Sequence, residues 1–325
     1  MRLGAPDLSD GQIVRSVAGI RPFRRGGPRL ERQDAGGKIV VHNYGHGGAG
    51  YTLSWGSADA AADLLRGLSP GRGAVAVLGA GVVGLSTARV LLERGFRVRV
   101  YAREFPPHTT SDVAGAEWSP DIVDRGATPA LRARFDRMLV ASWRRFRSLI
   151  GPRWGVAPRP IYEAEGVESG LDDLPAGLRP APRSLASLPF APARSGRVYQ
   201  TLLIEAPVYL ATLVEEVKRA GGVLERRTFS GPQELGQLPE AALVNCLGLG
   251  AGTLFADLMV IPIRGQLVHL RPQPLPYLLD HPTGYLVPRT DALVVGGSFE
   301  SGIAEARTDP ETCARILADN RRFFS

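Results

Sequence analysis

A glycine pattern in the first third of the chain constrains the fold more than any other feature. Gly79, Gly81 and Gly84 form G-x-G-x-x-G within the segment AVAVLGAGVVGLSTARVLLERG. A short apolar strand precedes the pattern, helical periodicity follows it, and the alternating residues 97–101 predict a second strand. A strand, a glycine turn and a helix in this order bind the pyrophosphate of a dinucleotide. The sequence therefore predicts a β-α-β unit that holds such a cofactor.

The end of the second strand normally carries an acidic residue that binds the ribose of the cofactor. Ala102 occupies that position here, and the carboxylate comes two residues later as Glu104, beside Arg103. We predict that Arg103 and Glu104 contact the cofactor. A solvent-exposed ion pair in a loop is the alternative interpretation of the same two residues.

Two further glycine-rich segments each follow a predicted strand, HNYGHGGAG at residues 42–50 and NCLGLGAG at residues 245–252. A nicotinamide cofactor needs one close approach of the backbone, whereas an extended FAD with a buried ring needs several. The three segments together favour FAD as the cofactor.

Composition predicts a globular α/β protein, because strand and helix patterns alternate along 325 residues of which 44% are hydrophobic. No apolar run approaches the roughly 20 residues that cross a bilayer, and the N-terminus lacks a signal-peptide core, so we expect a cytoplasmic protein with no membrane segment. Cys246 and Cys313 have no disulfide or metal-ligand spacing. We interpret both as buried packing residues and predict no metal site.

The net charge of +7 does not indicate nucleic-acid binding. Lys38 and Lys218 are the only lysines among 39 basic residues, so 37 are arginines, and these are scattered without an aromatic-interleaved basic block.

Four helices have clear sequence signals. Thr128 and Pro129 predict a helix start, as do Pro207 and the pair Asp309 and Pro310. A further helix is predicted over residues 58–68, whereas residues 171–198, rich in Pro, Ala and Arg, are interpreted as a loop or an interdomain connection.

Several sequence blocks carry a family resemblance. They include AVAVLGAGVVGLSTARVLLERG, TTSDVAGAEWSP, LVNCLGLGAG, RGQLVHL, GYLVPR, IRPFR and VVHNYGHGGAGYTLSWG. Together they resemble the D-amino acid oxidase family of FAD enzymes. The resemblance implies a Rossmann-like FAD-binding domain with a second, mixed-sheet substrate domain.

The order of these blocks is rotated relative to the family. In the family the nucleotide-binding strand begins the protein, whereas here IRPFR and HNYGHGG precede it. This arrangement resembles a circular permutant whose old ends are joined through LSPGRG, a connection that spans at most about 20 Å. We accordingly predict a discontinuous FAD-binding domain at residues 21–119 and 200–258, and a substrate domain at residues 120–199, 259–325 and 1–20.

The resemblance implies three residues of the catalytic site. Arg21 matches the family arginine that binds the substrate carboxylate, a role suited to its planar fork of donors. Tyr285 matches a tyrosine whose hydroxyl contacts the same carboxylate, and Gly48 stands where a backbone carbonyl faces the substrate amine. Outside the resemblance, Arg21 would be interpreted as a surface residue and Tyr285 as a packed aromatic at a strand edge.

A larger set of residues is predicted to contact the cofactor. Besides the fingerprint glycines and Arg103 with Glu104, these are Gly47, Gly50, Tyr51, Thr52, Thr109, Thr110, Gly115, Trp118, Phe229 and Gly248. His42 and His46 are interpreted as holding the geometry of their loop rather than as catalytic bases.

Two departures from the family concern the substrate pocket. His281 stands at the position of a lid tyrosine, so we predict a shorter lid with His281 in the pocket; Tyr277 is an alternative replacement. Glu117 replaces an apolar residue near the substrate side chain. It could bind a cationic substrate group, as in a basic D-amino acid or a diamine, neutralise Arg21, or face solvent.

These observations predict FAD-dependent oxidation of a D-amino acid to an imino acid, with hydride transfer to flavin and molecular oxygen as acceptor. One alternative keeps the flavin but changes the substrate to glycine, a secondary or cyclic amine, or a biosynthetic intermediate. Another is a non-catalytic flavin-binding protein. The predicted partners are the small amine substrate and oxygen, with a homodimer as a possible assembly.

Overall fold

The fold was analysed in a computed structural model, which describes residues 3–35, 37–68, 73–178, 181–191 and 193–325. Its strands are β1 (Ile13–Arg24), β2 (Arg29–Ala35), β3 (Lys38–Tyr44), β4 (Ala74–Leu78), β5 (Arg97–Ala102), β6 (Val156–Ala164), β7 (Arg183–Leu185), β8 (Gly196–Ile204), β9 (Val223–Arg226), β10 (Ala242–Asn245), β11 (Val260–Leu270), β12 (Leu278–His281), β13 (Gly284–Pro288), β14 (Leu293–Gly296) and β15 (Glu300–Ser301). Its helices are α1 (Gly50–Asp63), α2 (Val82–Glu93), α3 (Thr110–Val113), α4 (Pro129–Ser148), α5 (Ala206–Arg219), α6 (Gln233–Gly236), α7 (Leu249–Leu254) and α8 (Pro310–Phe324), with a 3-10 turn at Asp10–Gln12.

Six strands form a Rossmann-like sheet in the order β2-β3-β10-β4-β5-β9. Only β2 in this sheet is antiparallel to its neighbour, and the other pairs are parallel. The central strands are buried on both faces, as parallel strands require. Helices α1, α2, α4 and α5 contribute to the core on one side, and α6 and α7 to the core on the other. The predicted α/β class and the β4-α2-β5 unit are confirmed.

The second sheet has nine strands in the order β1-β11-β14-β13-β12-β6-β8-β7, with β15 paired to β11. One of its faces packs on α8 through Leu279, Leu286 and Val295. Because side chains alternate along a strand, the residues next to these in sequence face the opposite side, toward the rest of the molecule. That second face positions the candidate site.

The helix start predicted at Pro207 is confirmed by the bounds of α5, and the other two predicted starts are confirmed by their caps. Thr128 accepts a hydrogen bond from the Leu131 amide at 3.2 Å, and Asp309 accepts one from the Thr312 amide at 2.8 Å. Each cap satisfies an amide that the helix itself leaves without a partner.

Helix α1 differs from the prediction over residues 58–68, because it begins at Gly50 and ends at Asp63. The segment YTLSWG is helical although Gly56 lies within it. A Cβ on Gly56 would be 2.0 Å from the Met138 carbonyl oxygen, so the glycine lets α1 approach the backbone of α4. Tertiary packing thus overrides the weak helix propensity of glycine.

Two other predictions concern the connections. The segment at residues 171–198 is mainly irregular as predicted, although β7 and the start of β8 lie within it. The predicted joining segment LSPGRG comprises residues 68–73, of which residues 69–72 lie outside the described ranges.

The proposed domain boundaries at residues 20/21 and 199/200 fall within β1 and β8, and the boundary at 258/259 precedes β11. The two-domain division and the circular permutation stay predictions. In the described ranges, no helix is both long and apolar enough to cross a bilayer. Cys246 and Cys313 are buried free thiols, as predicted.

Candidate functional site

The fingerprint glycines form a tight turn at the carboxyl end of β4. Gly79 has φ +106°, and a Cβ there would be 2.4 Å from the Cys246 carbonyl oxygen. A Cβ on Gly84 would be 2.0 Å from the Gly79 carbonyl oxygen. Glycine is therefore required at both positions, one for the turn and one for the approach of α2 to it.

Two helix N-termini lack side-chain caps and lie at glycine loops. Gly81 precedes α2 and Ala49 precedes α1, and neither helix has a capping hydrogen bond from its N-cap side chain. The amide of Val82, in the first turn of α2, donates to Ser111 Oγ at 3.0 Å. Ser111 thus lies where a phosphate would bind a helix N-terminus. We did not predict Ser111 from the sequence, because a lone serine carries no motif.

The loop at residues 45–50 packs against a strained segment. Gly47 has φ +57°, and a Cβ there would be 2.1 Å from the Ile122 carbonyl oxygen, which also accepts a hydrogen bond from the Gly48 amide at 3.0 Å. Ile122 and Ala116 adopt positive φ values of 51° and 65°. A β-branched residue in this region is strained, and such strain is frequently found at functional sites.

The side chains after this loop fix its position. The Tyr51 hydroxyl donates to the Ser111 carbonyl at 2.9 Å, and the Thr52 hydroxyl donates to the Ser119 carbonyl at 2.7 Å. Gly48, three residues before Tyr51, is exposed.

Taken together, these elements fit FAD. Two helix N-termini that are not capped by their own N-cap residues suit its pyrophosphate, and glycines whose Cβ atoms would meet backbone permit the close approaches that an extended dinucleotide needs. Gly79, Gly81 and Gly84 with Ser111 would hold the phosphates, and the loop at residues 47–52 would face the ring.

Arg21 extends across the second sheet from β1. Its guanidinium lies over β11, since a Cβ on Gly265 would be 2.2 Å from Arg21 Nη1, and Nη1 lies 3.4 Å from the Ser298 carbonyl oxygen. In the described residues, no carboxylate lies within 4.0 Å of this guanidinium. Arg21 is thus a partly accessible cation without a bound counter-ion.

Tyr285 lies over the neighbouring strand in the same way. A Cβ on Gly296 would be 2.0 Å from Tyr285 Cζ. Burial raises the pKa of the Tyr285 hydroxyl to about 12, and interaction with the nearby Arg21 opposes this rise. Gly265 and Gly296 therefore leave room above the sheet for Arg21 and Tyr285 to approach each other, and their role as a carboxylate anchor stays a prediction.

Two carboxylates continue this row across the sheet. Asp280 is the cross-strand partner of Tyr285, and Glu163 pairs with Asp280 in turn. Directly paired residues share a face, so all three side chains lie on the side of Arg21. Glu163 is bound to Arg197 at 2.9 Å. No salt bridge or hydrogen bond to the Asp280 side chain occurs within the described ranges.

Glu117 faces this row from the strained segment. A Cβ on Gly115 would be 3.5 Å from Glu117 Oε2 and 3.6 Å from Tyr285 Cε2, so the carboxylate lies near the tyrosine ring. Burial and the charge of Asp121 raise the pKa of Glu117 to about 7, while Arg21 opposes the rise. Burial and the charges of Glu117, Asp121 and Glu163 raise the pKa of Asp280 well above its ordinary value.

Glu117 and Asp280 both keep partial solvent contact, although burial is the main cause of their raised pKa values. Both carboxylates are therefore enclosed but not fully buried, and we call the space that they share with Arg21 and Tyr285 the candidate cleft. Asp121 also has a raised pKa because of burial, but it accepts a hydrogen bond from the Gly170 amide at 2.8 Å.

The prediction that His281 lines the substrate pocket requires correction. His281 faces α8, where its Nε2 lies 2.9 Å from Asn320 Oδ1 and its ring stacks on Phe323 at 4.5 Å. Adjacent strand residues face opposite sides of a sheet, so its neighbour Asp280 faces Tyr285 instead. His281 lines a separate cavity of about 390 Å³ on the α8 side, together with Arg194. Tyr277 is also buried away from the cleft, against Phe190.

The histidines of the glycine loop are structural in this fold. Burial lowers the pKa values of His42 and His46 to about 4, so both are neutral at pH 7. His42 bridges Gln33 and Asn245 at 3.2 Å each. Nε2 of His46 is buried without a hydrogen-bond partner among the described residues.

Four predicted cofactor contacts follow β5 in the chain. Glu104 pairs with Arg226 at 3.1 Å near the carboxyl end of β5, and Arg103 is exposed beside it. Thr109 and Asp112 form a capping box at α3, with Thr110 as the first helical residue. The proposed ribose contact stays a prediction.

Three other predicted contacts have different surroundings. Trp118 is buried in the core against Trp143 at 4.6 Å, and Phe229 packs on Tyr101 at 6.0 Å. These packing contacts do not support a cofactor contact through either side chain. Gly248, at φ +58°, precedes α7 and lies next to Pro22, whose Cγ would be 3.5 Å from a Cβ there.

Comparison with known proteins agrees with this geometry. The sequence profile of the DAO family, described as FAD dependent oxidoreductase, matches residues 2–64 and 74–325. D-amino-acid oxidase from Rubrobacter xylanophilus is 38% identical over 269 residues, covering 74% of each chain. D-amino-acid oxidase from Streptomyces coelicolor is 34% identical over 260 residues, covering 75% of this chain and 76% of its own.

The fold is also similar to that of solved structures. Glycine oxidase from Bacillus cereus superposes with a TM-score of 0.58 at 17% identity, covering 78% of each chain. The profile match spans nearly the whole chain and includes both the glycine turn and the strands that carry Arg21 and Tyr285. The chain therefore belongs to the DAO family of FAD-dependent oxidoreductases.

Proposed function

We propose that this protein is an oxidase of D-amino acids, which it converts to imino acids. The observation that carries the proposal is the approach of Arg21 and Tyr285 to each other over Gly265 and Gly296, in a cleft below the glycine loop. A cation without a counter-ion beside a neutral hydroxyl suits one carboxylate. The D-amino-acid oxidases that share 34–38% identity with this chain support the substrate class.

The roles of the site residues follow from this arrangement. Arg21 binds the substrate carboxylate through charge-assisted hydrogen bonds, and the Tyr285 hydroxyl donates to the same group. The backbone carbonyl of exposed Gly48 faces the substrate amine, and glycine is needed there because a Cβ would lie 2.8 Å from the Asp121 carbonyl oxygen. Together these contacts hold the α-carbon in one orientation, which is the main requirement of the reaction.

When bound, FAD accepts the hydride that leaves the substrate α-carbon. The substrate loses this hydride and one amine proton to become the imino acid, and molecular oxygen, the proposed final acceptor, takes up both to become hydrogen peroxide. Because His42 and His46 are neutral and enclosed, neither is assigned a proton-transfer role.

Reduction of the bound flavin by substrate tests the proposal. Anaerobic addition of D-alanine, D-methionine or D-arginine should bleach the flavin absorbance, whereas the L-enantiomers should not. Bleaching by glycine or sarcosine alone would favour the alternative of another amine substrate. A protein that binds flavin but is bleached by none of these would contradict the proposal and favour a non-catalytic role.

Arg21 is tested by Arg21→Ala, with Arg21→Lys as the matched control. Losing one partner of a buried charged contact typically costs 2–5 kcal/mol, so we expect the KM for D-amino acids to rise by roughly 30-fold or more in Arg21→Ala. Arg21→Lys keeps the charge but not the planar fork of donors, so its KM should lie between those of the natural protein and Arg21→Ala. An unchanged KM in Arg21→Ala would remove Arg21 from the site.

We also propose that the chain is a circular permutant of the family. The two matched profile segments are separated by residues 65–73, where the join is predicted. The relative from Rubrobacter aligns over about three quarters of each chain, as expected if the rotated quarter does not align in order. A cytoplasmic location and a homodimer stay predictions from the sequence.

A further inference from the structure

The candidate cleft contains more acidic side chains than its proposed reaction needs. Glu117 and Asp280 face the cleft, and neither side chain has a hydrogen bond or salt bridge from another residue in the described part of the chain. The other two carboxylates nearby are satisfied, Glu163 by Arg197 and Asp121 by the Gly170 amide. Two enclosed carboxylates without a fixed counter-ion are costly unless a cation joins them.

Arg21 does not serve as that counter-ion at close range. No carboxylate of the described residues lies within 4.0 Å of its guanidinium, which instead lies over Gly265 beside the Ser298 carbonyl. The alternative in which Glu117 neutralises Arg21 is therefore not realised in this fold. Arg21 and the carboxylate pair remain two separate charged centres in one cleft.

The spacing of the two centres matches a long amino acid. The Arg21 guanidinium lies over β11, and Asp280 lies on β12, three strands away in the order β11-β14-β13-β12. At about 4.8 Å per strand this is roughly 14 Å. An extended arginine or lysine side chain separates its cation from its carboxylate by about 7 Å. The remaining distance is spanned by the two ion pairs, one at each end of the substrate.

Building on the proposed function, we propose that the enzyme selects D-amino acids with a positively charged side chain. Arg21 binds the α-carboxylate, and Asp280 binds the side-chain cation at the other end of the cleft. Glu117, whose carboxylate lies near the Tyr285 ring between these ends, adds its charge to the attraction of the cation. Asp280 and Glu117 are thus specificity-determining residues, whereas Arg21 and Tyr285 serve any α-amino acid.

D-arginine and D-citrulline form the decisive substrate pair, because they differ only in a guanidinium against a neutral ureido group. We expect kcat/KM for D-arginine to exceed that for D-citrulline by on the order of 100-fold, the effect of a desolvated charge pair. If D-citrulline and D-methionine are oxidised as well as D-arginine, the inference is overturned and the proposed oxidase function still stands.

Binding without turnover separates the two proposals. 5-Guanidinopentanoate and 5-ureidopentanoate lack the reactive amine but keep the carboxylate and the side-chain group. Calorimetry with the holoenzyme should show tighter binding of the guanidino acid by on the order of 100-fold. Equal affinity would overturn the inference, and this result is independent of whether any D-amino acid is oxidised.

Glu117→Gln and Asp280→Asn test the two residues. Each should lower kcat/KM for D-arginine by about tenfold or more and leave that for D-citrulline unchanged or higher. Asp34→Asn, in an exposed pair with Arg32 at 3.0 Å, is the control and should change neither. Equal losses for both substrates in the Glu117 and Asp280 variants would indicate a merely structural role. Both variants remove an unpaired enclosed charge, so the melting temperature should not fall.

Discussion

The guanidinium group of Arg21 lies against Gly265, where a Cβ would be 2.2 Å from Nη1 and 2.6 Å from Cζ. The glycine thus sets the height of the proposed carboxylate anchor above the sheet. The same relationship recurs one strand away, between Tyr285 and Gly296. The position of the anchor depends on two residues that carry no chemistry of their own.

Gly265→Ala should damage catalysis without unfolding the protein. The added methyl group meets the far end of a flexible side chain, so Arg21 can move away at little cost in stability. A displacement of about 1 Å can lower the rate by roughly 100-fold, which is the expected loss in kcat/KM for D-amino acids. Gly236→Ala, where nothing lies within 4 Å, is the control. Steady-state kinetics with thermal melting check both; normal activity in Gly265→Ala would contradict the placement of Arg21.

Gly84→Ala should prevent cofactor binding. Its Cβ would be 2.0 Å from the Gly79 carbonyl oxygen, a backbone atom that cannot move without opening the turn. We expect loss of flavin absorbance relative to protein absorbance, and a lower melting temperature. Gly250→Ala places its Cβ at an ordinary 3.5 Å from Leu247 and should retain flavin. Stoichiometric flavin in purified Gly84→Ala would disprove this role for the turn.

His281→Ala should lower stability and leave substrate preference intact. The change removes the contact with Asn320 and the stacking on Phe323, on the α8 face of the sheet. A buried polar contact of this kind contributes about 1–3 kcal/mol to the free energy of unfolding. Urea unfolding and a substrate panel measure the two effects. Tyr285→Phe is the contrasting variant, with a raised KM and nearly unchanged stability. A changed substrate preference in His281→Ala would instead support the prediction that His281 lines the substrate pocket.

Glu117 makes a pH-dependent contribution to stability. Its pKa is about 7 in the folded protein against an ordinary value of 4.5, so between these values the folded state binds more protons than the unfolded state. Stability from Glu117 is therefore present below about pH 4.5 and is lost as pH rises through about 7. Arg21, which faces it, opposes this effect, and Asp121 adds to it.

Glu117→Gln removes this dependence. The free energy of unfolding of the variant, relative to that of the natural protein, should increase between pH 5 and pH 8. Urea denaturation of both proteins measures this difference. Histidines with pKa values lowered to about 4, such as His42 and His269, change stability in the opposite sense but equally in both proteins, so they cancel. A difference that is constant with pH would contradict the enclosed position of Glu117.

Local signals predicted the nucleotide-binding half of this protein well. The strand at Ala74–Leu78, the glycine turn, helix α2 and the caps at Thr128 and Asp309 depend on neighbours within a few residues, and the structure has each of them. The turn that suits the pyrophosphate of a dinucleotide is also built from contiguous residues, whereas FAD in particular was indicated by three separated glycine segments. Arg21 and Tyr285 were predicted from the family resemblance and not from local signals.

Tertiary structure decided which side chains share the cleft. His281 and Asp280 are adjacent in sequence, yet only the pairing of β12 with β13 determines that Asp280 faces Tyr285 and His281 faces α8. Likewise, helix α1 includes Gly56, where it packs against the backbone of Met138, far along the chain. A strand's alternation shows that its residues divide between two faces, but the sheet around it decides which face meets the substrate and which meets the core.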